Sequence, residues 1–233
     1  MTRFWNLRKP DGQDFGEEMD CEYEHISCSV DPGHRRGGRS LGEFTALVDP
    51  RAIRAFTWIG PSEVLISPKI LRLFDKHRVT GFDARPAKVM YPEDIEVTPP
   101  DLFRLIVTGW GGFVSAAAGT RLKEWCPGCG YKKYVITDPT RLIDAEAWDG
   151  SDIFLVWTPT GFLFVSDRLA QILQAEKVSG LELVPSSRIP RMQAGCIIIA
   201  TGLEFMPKAR AVELEERFKI SQWLVDTPKD GTS

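Results

Sequence analysis

The stretch Cys126-Pro-Gly-Cys129-Gly130 has the residue types and the spacing to bind a metal ion. Two cysteines separated by two residues can turn both thiolates toward one ion, and glycines permit the tight turn beneath them. A structural zinc site needs four ligands in a tetrahedral arrangement, so two more must come from elsewhere in the chain. The same stretch could instead be a redox-active dithiol or a plain turn.

The missing ligands are best sought far upstream, where cysteine and histidine occur together. Five residues, including a proline and a glycine, separate Cys28 from His34, so the chain can turn back and present both side chains to one ion. Cys21 and His25 are the second choice. The sequence therefore predicts a structural Zn²⁺ held by Cys28, His34, Cys126 and Cys129.

The composition is that of an ordinary globular chain. It has 233 residues, of which 43% are hydrophobic and 26% charged, enough for a sizeable core. A net charge of −3 argues against a broad surface for nucleic acid. No apolar run has the roughly 18–20 residues of a membrane span, and no apolar segment typical of a secretory signal opens the chain. Five cysteines are too few and too scattered for a disulfide framework, so we expect a cytoplasmic protein.

Two segments repeat a chemical pattern 99 residues apart. Residues 57–86 align with 156–185 without a gap, and each copy reads as strand, helix, strand. Ser67 and Ser166 occupy the helix N-cap position, and Gly81 and Gly180 are expected to end the helices in a left-handed conformation. The alternative is chance similarity between two amphipathic units.

These patterns predict an α+β fold: a single domain with two related strand–helix–strand units and a zinc knuckle. Residues 1–45 would form an N-terminal arm that contributes to the metal site, 46–190 a duplicated core, and 191–233 a C-terminal strand and helix extension. Further strands are predicted at 103–108, 132–137 and 196–200, and a helix at 208–223. Residues 9–40 have few apolar side chains and are predicted to be loop.

The sequence gives little support for nucleotide binding, an acidic recognition patch or catalysis. Thr108-Gly-Trp-Gly-Gly112 follows a predicted strand, but the third glycine of a dinucleotide-binding turn is missing. The turn Trp148-Asp-Gly-Ser-Asp152 offers carboxylates that a solvated turn also explains. The sequence contains no metalloprotease, nucleophile-elbow, P-loop or deaminase motif, and a metal held by four protein ligands has no open position for substrate. We therefore expect a protein that is not an enzyme.

Residues 45–187 resemble the double-CXXCG-motif proteins of myxobacteria and related immunity proteins of polymorphic toxin systems. The resemblance lies in Phe162-Leu-Phe-Val-Ser166-Asp-Arg-Leu169, in Val178-Ser-Gly-Leu-Glu-Leu183 and in the second motif, which Cys126, Cys129 and Gly130 match. The first motif departs from the family pattern, because no cysteine follows Cys28 three residues later. The resemblance implies a bacterial immunity protein that binds and neutralises a cognate toxin.

The predicted function is therefore non-catalytic zinc binding together with recognition of another protein. A basic toxin would suit the acidic chain, and the sequence predicts an exposed binding surface around Trp110, the turn 148–152 and the helical acidic run 213–216. The alternative is that these tryptophans all lie in the core. The alternative function is that of a zinc-ribbon-like protein that binds nucleic acid or has a regulatory role. Such a protein would use basic side chains: Arg35, Arg36, Arg39, Lys132 and Lys133. The sequence does not set the oligomeric state.

Overall fold

A computed structural model describes residues 3–19, 23–26, 28–32, 34, 36–40, 43–61, 63–92, 96–158, 161–190, 196–199, 203 and 206–220. Its strands are β1 Phe4–Arg8, β2 Glu17–Met19, β3 Tyr23–Ile26, β4 Arg36–Ser40, β5 Thr45–Leu47, β6 Phe56–Trp58, β7 Val64–Ile66, β8 Phe82–Met90, β9 Leu102–Val107, β10 Gly109–Phe113, β11 Arg121–Trp125, β12 Lys132–Ile136, β13 Ile153–Trp157, β14 Leu163–Ser166, β15 Glu182–Pro185 and β16 Cys196–Ile199. The α-helices are α1 Pro68–Lys76, α2 Asp167–Ala175 and α3 Lys208–Phe218. Within these ranges the longest α-helix has 11 residues, and no helix has the length and apolar character needed to cross a membrane.

The fold is mixed α+β in a single domain, as predicted, and most of its regular structure is in sheets. The strands predicted at 103–108, 132–137 and 196–200 are present within a residue of their expected bounds. The prediction of loop for residues 9–40 was wrong, because three short strands lie there. Their few apolar side chains hid them, since strand pairing supplies backbone hydrogen bonds whatever the side chains are. Within its described part, the C-terminal helix ends at Phe218, and residues 221–223 of its predicted span lie outside the described residues.

Two larger sheets carry the two segments singled out in the sequence. One has the strand order β10-β13-β14-β1-β15, and the other has the order β2-β5-β8-β9-β7-β6. In the first, β1 pairs antiparallel with both β14 and β15. In the second, β9 pairs antiparallel with both β7 and β8. In each sheet, therefore, two strands joined by a helix lie on either side of a third strand that comes from elsewhere in the chain. The domain boundaries and the relationship between the two segments stay predictions.

Both helices begin as the sequence predicts. Ser67 and Ser166 are the N-cap residues of α1 and α2, and the Ser166 hydroxyl accepts a hydrogen bond from the backbone N–H of Leu169. The helix ends differ from the prediction. The left-handed residue after each helix is Arg78 (φ 50°) or Lys177 (φ 49°), three residues before the glycine that was expected there.

The glycines instead allow the two segments to approach each other. Gly81 and Gly180 have φ values of 86° and 83°, and a Cβ at these positions would lie 2.0 Å from the carbonyl oxygen of Ile153 and 2.2 Å from that of Phe56. The residue before each glycine accepts a backbone hydrogen bond across the same joint: Ile153 N–H donates to Thr80 (3.0 Å), and Phe56 N–H donates to Ser179 (3.3 Å). The turn after each helix therefore binds the start of a strand in the other segment.

We expect Gly81→Ala and Gly180→Ala each to lower the free energy of unfolding strongly. Each Cβ would strike a backbone oxygen that cannot move without shifting a buried strand. Gly150→Ala is the matched control, because Gly150 has φ 87° but open space around it, so only the backbone strain of about 1–3 kcal/mol applies. Urea denaturation of the three variants measures the difference. Equal losses would contradict the close approach.

One core unites both segments. Buried side chains from α1 and α2 pack together with the inner faces of both sheets. The cluster is Leu7, Phe56, Trp58, Val64, Ile66, Ile70, Leu73, Phe74, Leu105, Ile153, Leu163, Val165, Leu169, Ala170 and Leu173. The three-stranded sheet, with the order β11-β12-β16, lies outside this cluster and carries the cysteine knuckle between β11 and β12, and β3 and β4 form a separate two-stranded sheet.

Candidate metal centre

The turn between β11 and β12 has the geometry of a metal knuckle. Cys126 N–H donates to the carbonyl of Tyr131, and Gly130 N–H donates to the carbonyl of Cys126, both at 2.9 Å. Gly130 has φ 70°, a conformation that costs glycine little. This short ladder closes the turn and leaves the two cysteine side chains on one side of it.

The upstream loop is also folded by hydrogen bonds of its own and lies against the knuckle. The Cys28 Sγ accepts the backbone N–H groups of Val30 at 3.4 Å and Asp31 at 3.3 Å. His34 N–H donates to the carbonyl of Asp31 at 3.0 Å, which folds the loop back on itself. Val30 then packs over Gly128, where an added Cβ would lie 2.5 Å from its side chain. A side chain at position 128 would therefore keep the loop from the knuckle.

The structure brings the four predicted side chains into one cluster. The donor atoms of Cys28, His34, Cys126 and Cys129 all lie within 4.8 Å of one another. The Cys28 Sγ is 3.6 Å from the Cys126 Sγ, and the His34 Nδ1 is 3.8 Å from the Cys28 Sγ and 3.9 Å from the Cys129 Sγ. Around tetrahedral zinc, bond lengths of about 2.3 Å to sulfur and 2.0–2.1 Å to nitrogen give S–S separations of about 3.8 Å and S–N separations of about 3.6 Å. The cluster can therefore hold a metal ion.

The orientation of the His34 ring is set by stacking and by contacts at both of its nitrogens. It stacks on Tyr131 with ring centroids 4.3 Å apart and an interplanar angle of 4°. Its Nδ1 points at the sulfurs, while its Nε2 lies 3.3 Å from a Glu124 carboxylate oxygen and 3.4 Å from one of Asp31. The imidazole is therefore turned so that Nδ1 is the nitrogen available to a metal.

Without a metal, the cluster holds its protons unevenly. Hydrogen bonds from the backbone N–H groups of Asp31 and Val30, and from His34, lower the pKa of the Cys28 thiol to about 6. The Cys28 sulfur in turn raises the pKa of His34 to about 9. Burial raises the pKa of Cys129 to about 11. Between pH values of about 6 and 9, a thiolate on Cys28 faces an imidazolium on His34.

We expect this difference to appear in thiol alkylation of protein stripped of metal with a chelator. Cys28 should react with iodoacetamide at near-neutral pH with a rate that rises through a midpoint of about 6, because the thiolate is the nucleophile. Cys129, with a pKa of about 11, should stay unmodified. Peptide mapping by mass spectrometry at several pH values measures both rates. Equal labelling of the two cysteines, as in denatured protein, would contradict the geometry; added zinc should protect both.

Several other predicted positions have different surroundings from those expected. Trp110 is 1% exposed and stacks on Phe218 of α3 at a centroid distance of 5.0 Å, so its predicted place on an exposed binding surface was wrong. Asp149 is engaged by Arg210 at 2.7 Å and by the backbone N–H of Trp110. The turn 148–152 therefore fastens α3 to the core, while Glu213 and Glu216 remain exposed on that helix.

Two of the basic residues assigned to nucleic acid also have structural surroundings. Lys132 is 1% exposed. Lys133 lies 3.6 Å from Glu124 across the β11–β12 pair. Neither lysine is a free surface cation. Arg35 and Cys21 lie outside the described residues, and the side chains of His25, Arg36, Arg39 and Cys196 lie outside the described part of the chain.

Sequence reasoning missed the carboxylates around the cluster. Glu124 precedes the knuckle by two residues and has no distinguishing motif, and Asp31 looked like part of a solvated loop. The available signal was position: Asp31 lies three residues after Cys28, where a Cys-x-x-Cys motif has its second cysteine.

Comparison with known proteins adds no family. No protein-family model matches the chain, and no curated protein matches it either. The resemblance to the double-CXXCG-motif family therefore rests on the quoted motifs and stays a prediction.

Proposed function

We propose that the metal is zinc and that its role is structural. The observation that carries this proposal is the cluster of three sulfurs and one imidazole nitrogen, whose ligand atoms all lie within 4.8 Å of one another. Three of the separations, at 3.6, 3.8 and 3.9 Å, are close to those around tetrahedral zinc. Thiolate and imidazole ligands suit zinc. Four protein ligands complete its coordination, and a closed site leaves no position for a reacting water or substrate. The zinc would tie the loop 28–34 to the β11–β12 knuckle.

Metal analysis of protein purified without added metal tests this proposal. We expect one zinc per chain and no comparable amount of iron, copper or nickel. Chelator-treated protein should take up one equivalent of zinc again with release of thiol protons. Substoichiometric zinc after purification and no uptake on reconstitution would overturn the assignment. Stoichiometric iron with visible absorption would instead identify an iron site.

We propose that the two strand–helix–strand segments are related units. The support is the reciprocal joint, in which Thr80 and Ser179 occupy corresponding places, together with the matching position of β1 and β9 between parallel strands. An experimental structure allows residues 57–86 and 156–185 to be superposed. Backbones that diverge along the helix or either flanking strand would refute the relationship.

We propose further that the protein acts by binding another protein and neutralising it, as a cytoplasmic immunity protein in a bacterium. This rests on the motif resemblance, and the net charge of −3 suits a basic toxin. Since Trp110 is buried, the aromatic anchors of such a surface must lie elsewhere. The exposed carboxylates of α3 remain candidates.

The test is co-expression with the product of the adjacent gene. If that gene encodes a toxin, we expect growth to be rescued by this protein and the two products to co-purify. Immunoblots should show the same amount of toxin in rescued and unrescued cells, because binding blocks the toxin without removing it. A neighbour that is not toxic, or a toxin that this protein neither binds nor blocks, would overturn the immunity role and leave the zinc assignment intact.

The nucleic-acid alternative now has less support. Burial of Lys132 and the pairing of Lys133 with Glu124 remove two of its five proposed cations. Binding to DNA or RNA with a steep dependence on salt would restore this alternative.

A further inference from the structure

We infer that Glu124 and Asp31 are positioning residues that hold His34 in the tautomer needed to bind metal through Nδ1. This inference rests on the proposed zinc site. It assigns a role to two carboxylates that lie outside the four ligands. Neither carboxylate contacts the metal position, since both face the opposite nitrogen of the ring.

The first argument is the direction of the ring. With Nδ1 3.8 Å and 3.9 Å from two sulfurs, a metal bound to His34 must be on the Nδ1 side. Neutral imidazole then carries its proton on Nε2. The Glu124 oxygen at 3.3 Å is the hydrogen-bond partner of Nε2 and accepts that proton, and the Asp31 carboxylate oxygen lies 3.4 Å from the same nitrogen. Metal-binding histidines commonly donate their second N–H to a carboxylate, which fixes the tautomer and strengthens the ligand.

The second argument is how Glu124 is itself held. Glu124 and Lys133 are cross-strand partners in the β11–β12 pair. One oxygen of Glu124 lies 3.3 Å from His34 Nε2 and the other lies 3.6 Å from Lys133 Nζ. The carboxylate therefore bridges the imidazole and a fixed cation. The register of the two strands shifts between Leu122 and Glu124, and such bulges redirect side chains.

The third argument is the place of Asp31. Its backbone N–H already bonds to the Cys28 sulfur at 3.3 Å, as expected of the fourth residue of a metal knuckle. The side chain there is a carboxylate, and its oxygen lies 3.4 Å from His34 Nε2. The departure from Cys-x-x-Cys thus leaves His34 as the fourth ligand and places a carboxylate beside its Nε2 where the cysteine would stand.

The experiment compares zinc affinity, by competition with a chromogenic chelator, in the wild type and in Glu124→Ala, Asp31→Ala and the double variant. We expect one zinc per chain in all four, with the dissociation constant raised about 10–100-fold in the double variant and less in each single variant. Glu124→Asp should recover part of the loss. Glu146→Ala, which removes an exposed carboxylate on another turn, is the control and should bind as the wild type does.

Long-range ¹H–¹⁵N NMR of the zinc-bound protein reads the tautomer directly. In the wild type, the His34 Nδ1 should show the shift of a metal-bound nitrogen and Nε2 that of a protonated one. A merely structural role for the carboxylates would leave zinc affinity unchanged within twofold, and this result would overturn the inference. Zinc bound through Nε2 would also overturn it. Failure of the wild type to bind zinc at all would instead refute the proposed function.

Discussion

Cys126→Ser should abolish zinc binding and lower the melting temperature by on the order of 10 °C or more. Cys126 is buried and lies 3.6 Å from Cys28 across the joint between loop and knuckle. Structural zinc contributes about 10–16 kcal/mol of apparent binding free energy in small zinc domains, and about 1 kcal/mol shifts the melting temperature of a chain this size by about 2–4 °C. The larger core does not depend directly on the metal, so we expect the sheet β11-β12-β16 to unfold first.

Elemental analysis and calorimetry of the same preparation measure both effects. Cys196→Ser is the matched control, because Cys196 belongs to β16 of the same sheet and is not one of the four proposed ligands; it should retain one zinc. Cys28→Ala should behave like Cys126→Ser, and Cys21→Ala should not. If Cys21→Ala loses the metal while Cys28→Ala keeps it, then Cys21 and His25 are the ligands instead. Metal content unchanged in Cys126→Ser would refute the site.

Asp152→Ala should destabilise the fold by about 3 kcal/mol, the lower end of the 3–5 kcal/mol range for breaking a buried ion pair. The Asp152 side chain is only 6% exposed, whereas that of Arg168 is 51% exposed, which weakens the penalty of leaving the arginine unpaired. Asp152 accepts hydrogen bonds from Thr80 N–H at 3.0 Å, Ser166 Oγ at 2.8 Å and Arg168 Nε at 3.0 Å. It therefore joins the turn after α1 to the start of α2.

The destabilisation caused by Asp152→Ala should depend on pH. Burial alone would raise the pKa of the Asp152 carboxyl, but hydrogen bonds from Arg168, Ser166 and the Thr80 backbone outweigh it and hold the pKa below its ordinary value. A carboxyl whose pKa is lower in the folded state stabilises the protein above the ordinary pKa and loses this contribution as pH falls through the folded value. The difference between wild type and variant should therefore be full near neutral pH and should shrink in acid.

Urea denaturation at several pH values checks this second prediction. Asp75→Ala removes an exposed carboxylate from α1 and should change the free energy of unfolding by no more than about 0.5 kcal/mol. Arg168→Leu combined with Asp152→Ala should recover part of the loss, since no charge then remains unpaired. A pH-independent difference, or a cost equal to that of Asp75→Ala, would show that the pair does not stabilise the joint.

The local features and one long-range cluster could be predicted from the sequence, but the other long-range contacts could not. Ser67 and Ser166 were recognisable as N-caps because capping depends on neighbours in the chain. Cys28, His34, Cys126 and Cys129 could be paired because few residue types bind zinc. The burial of Trp110 could not be predicted, because it depends on packing against Phe218, which lies far away in the sequence. Likewise, nothing near Gly81 in sequence indicates that it touches Ile153.

The position of β1 has a consequence for the order in which the protein is built. All the strands of the six-stranded sheet come from residues between Glu17 and Val107, so that sheet can close soon after its last strand leaves the ribosome. The five-stranded sheet cannot, because Asn6 pairs with Phe164 in β14, and Leu163 of that strand lies 157 positions after Asn6 in the chain. At about 5–20 residues per second of synthesis, β1 waits about 8–30 s for its partners. During that time its unpaired backbone is open to chaperones and to neighbouring nascent chains.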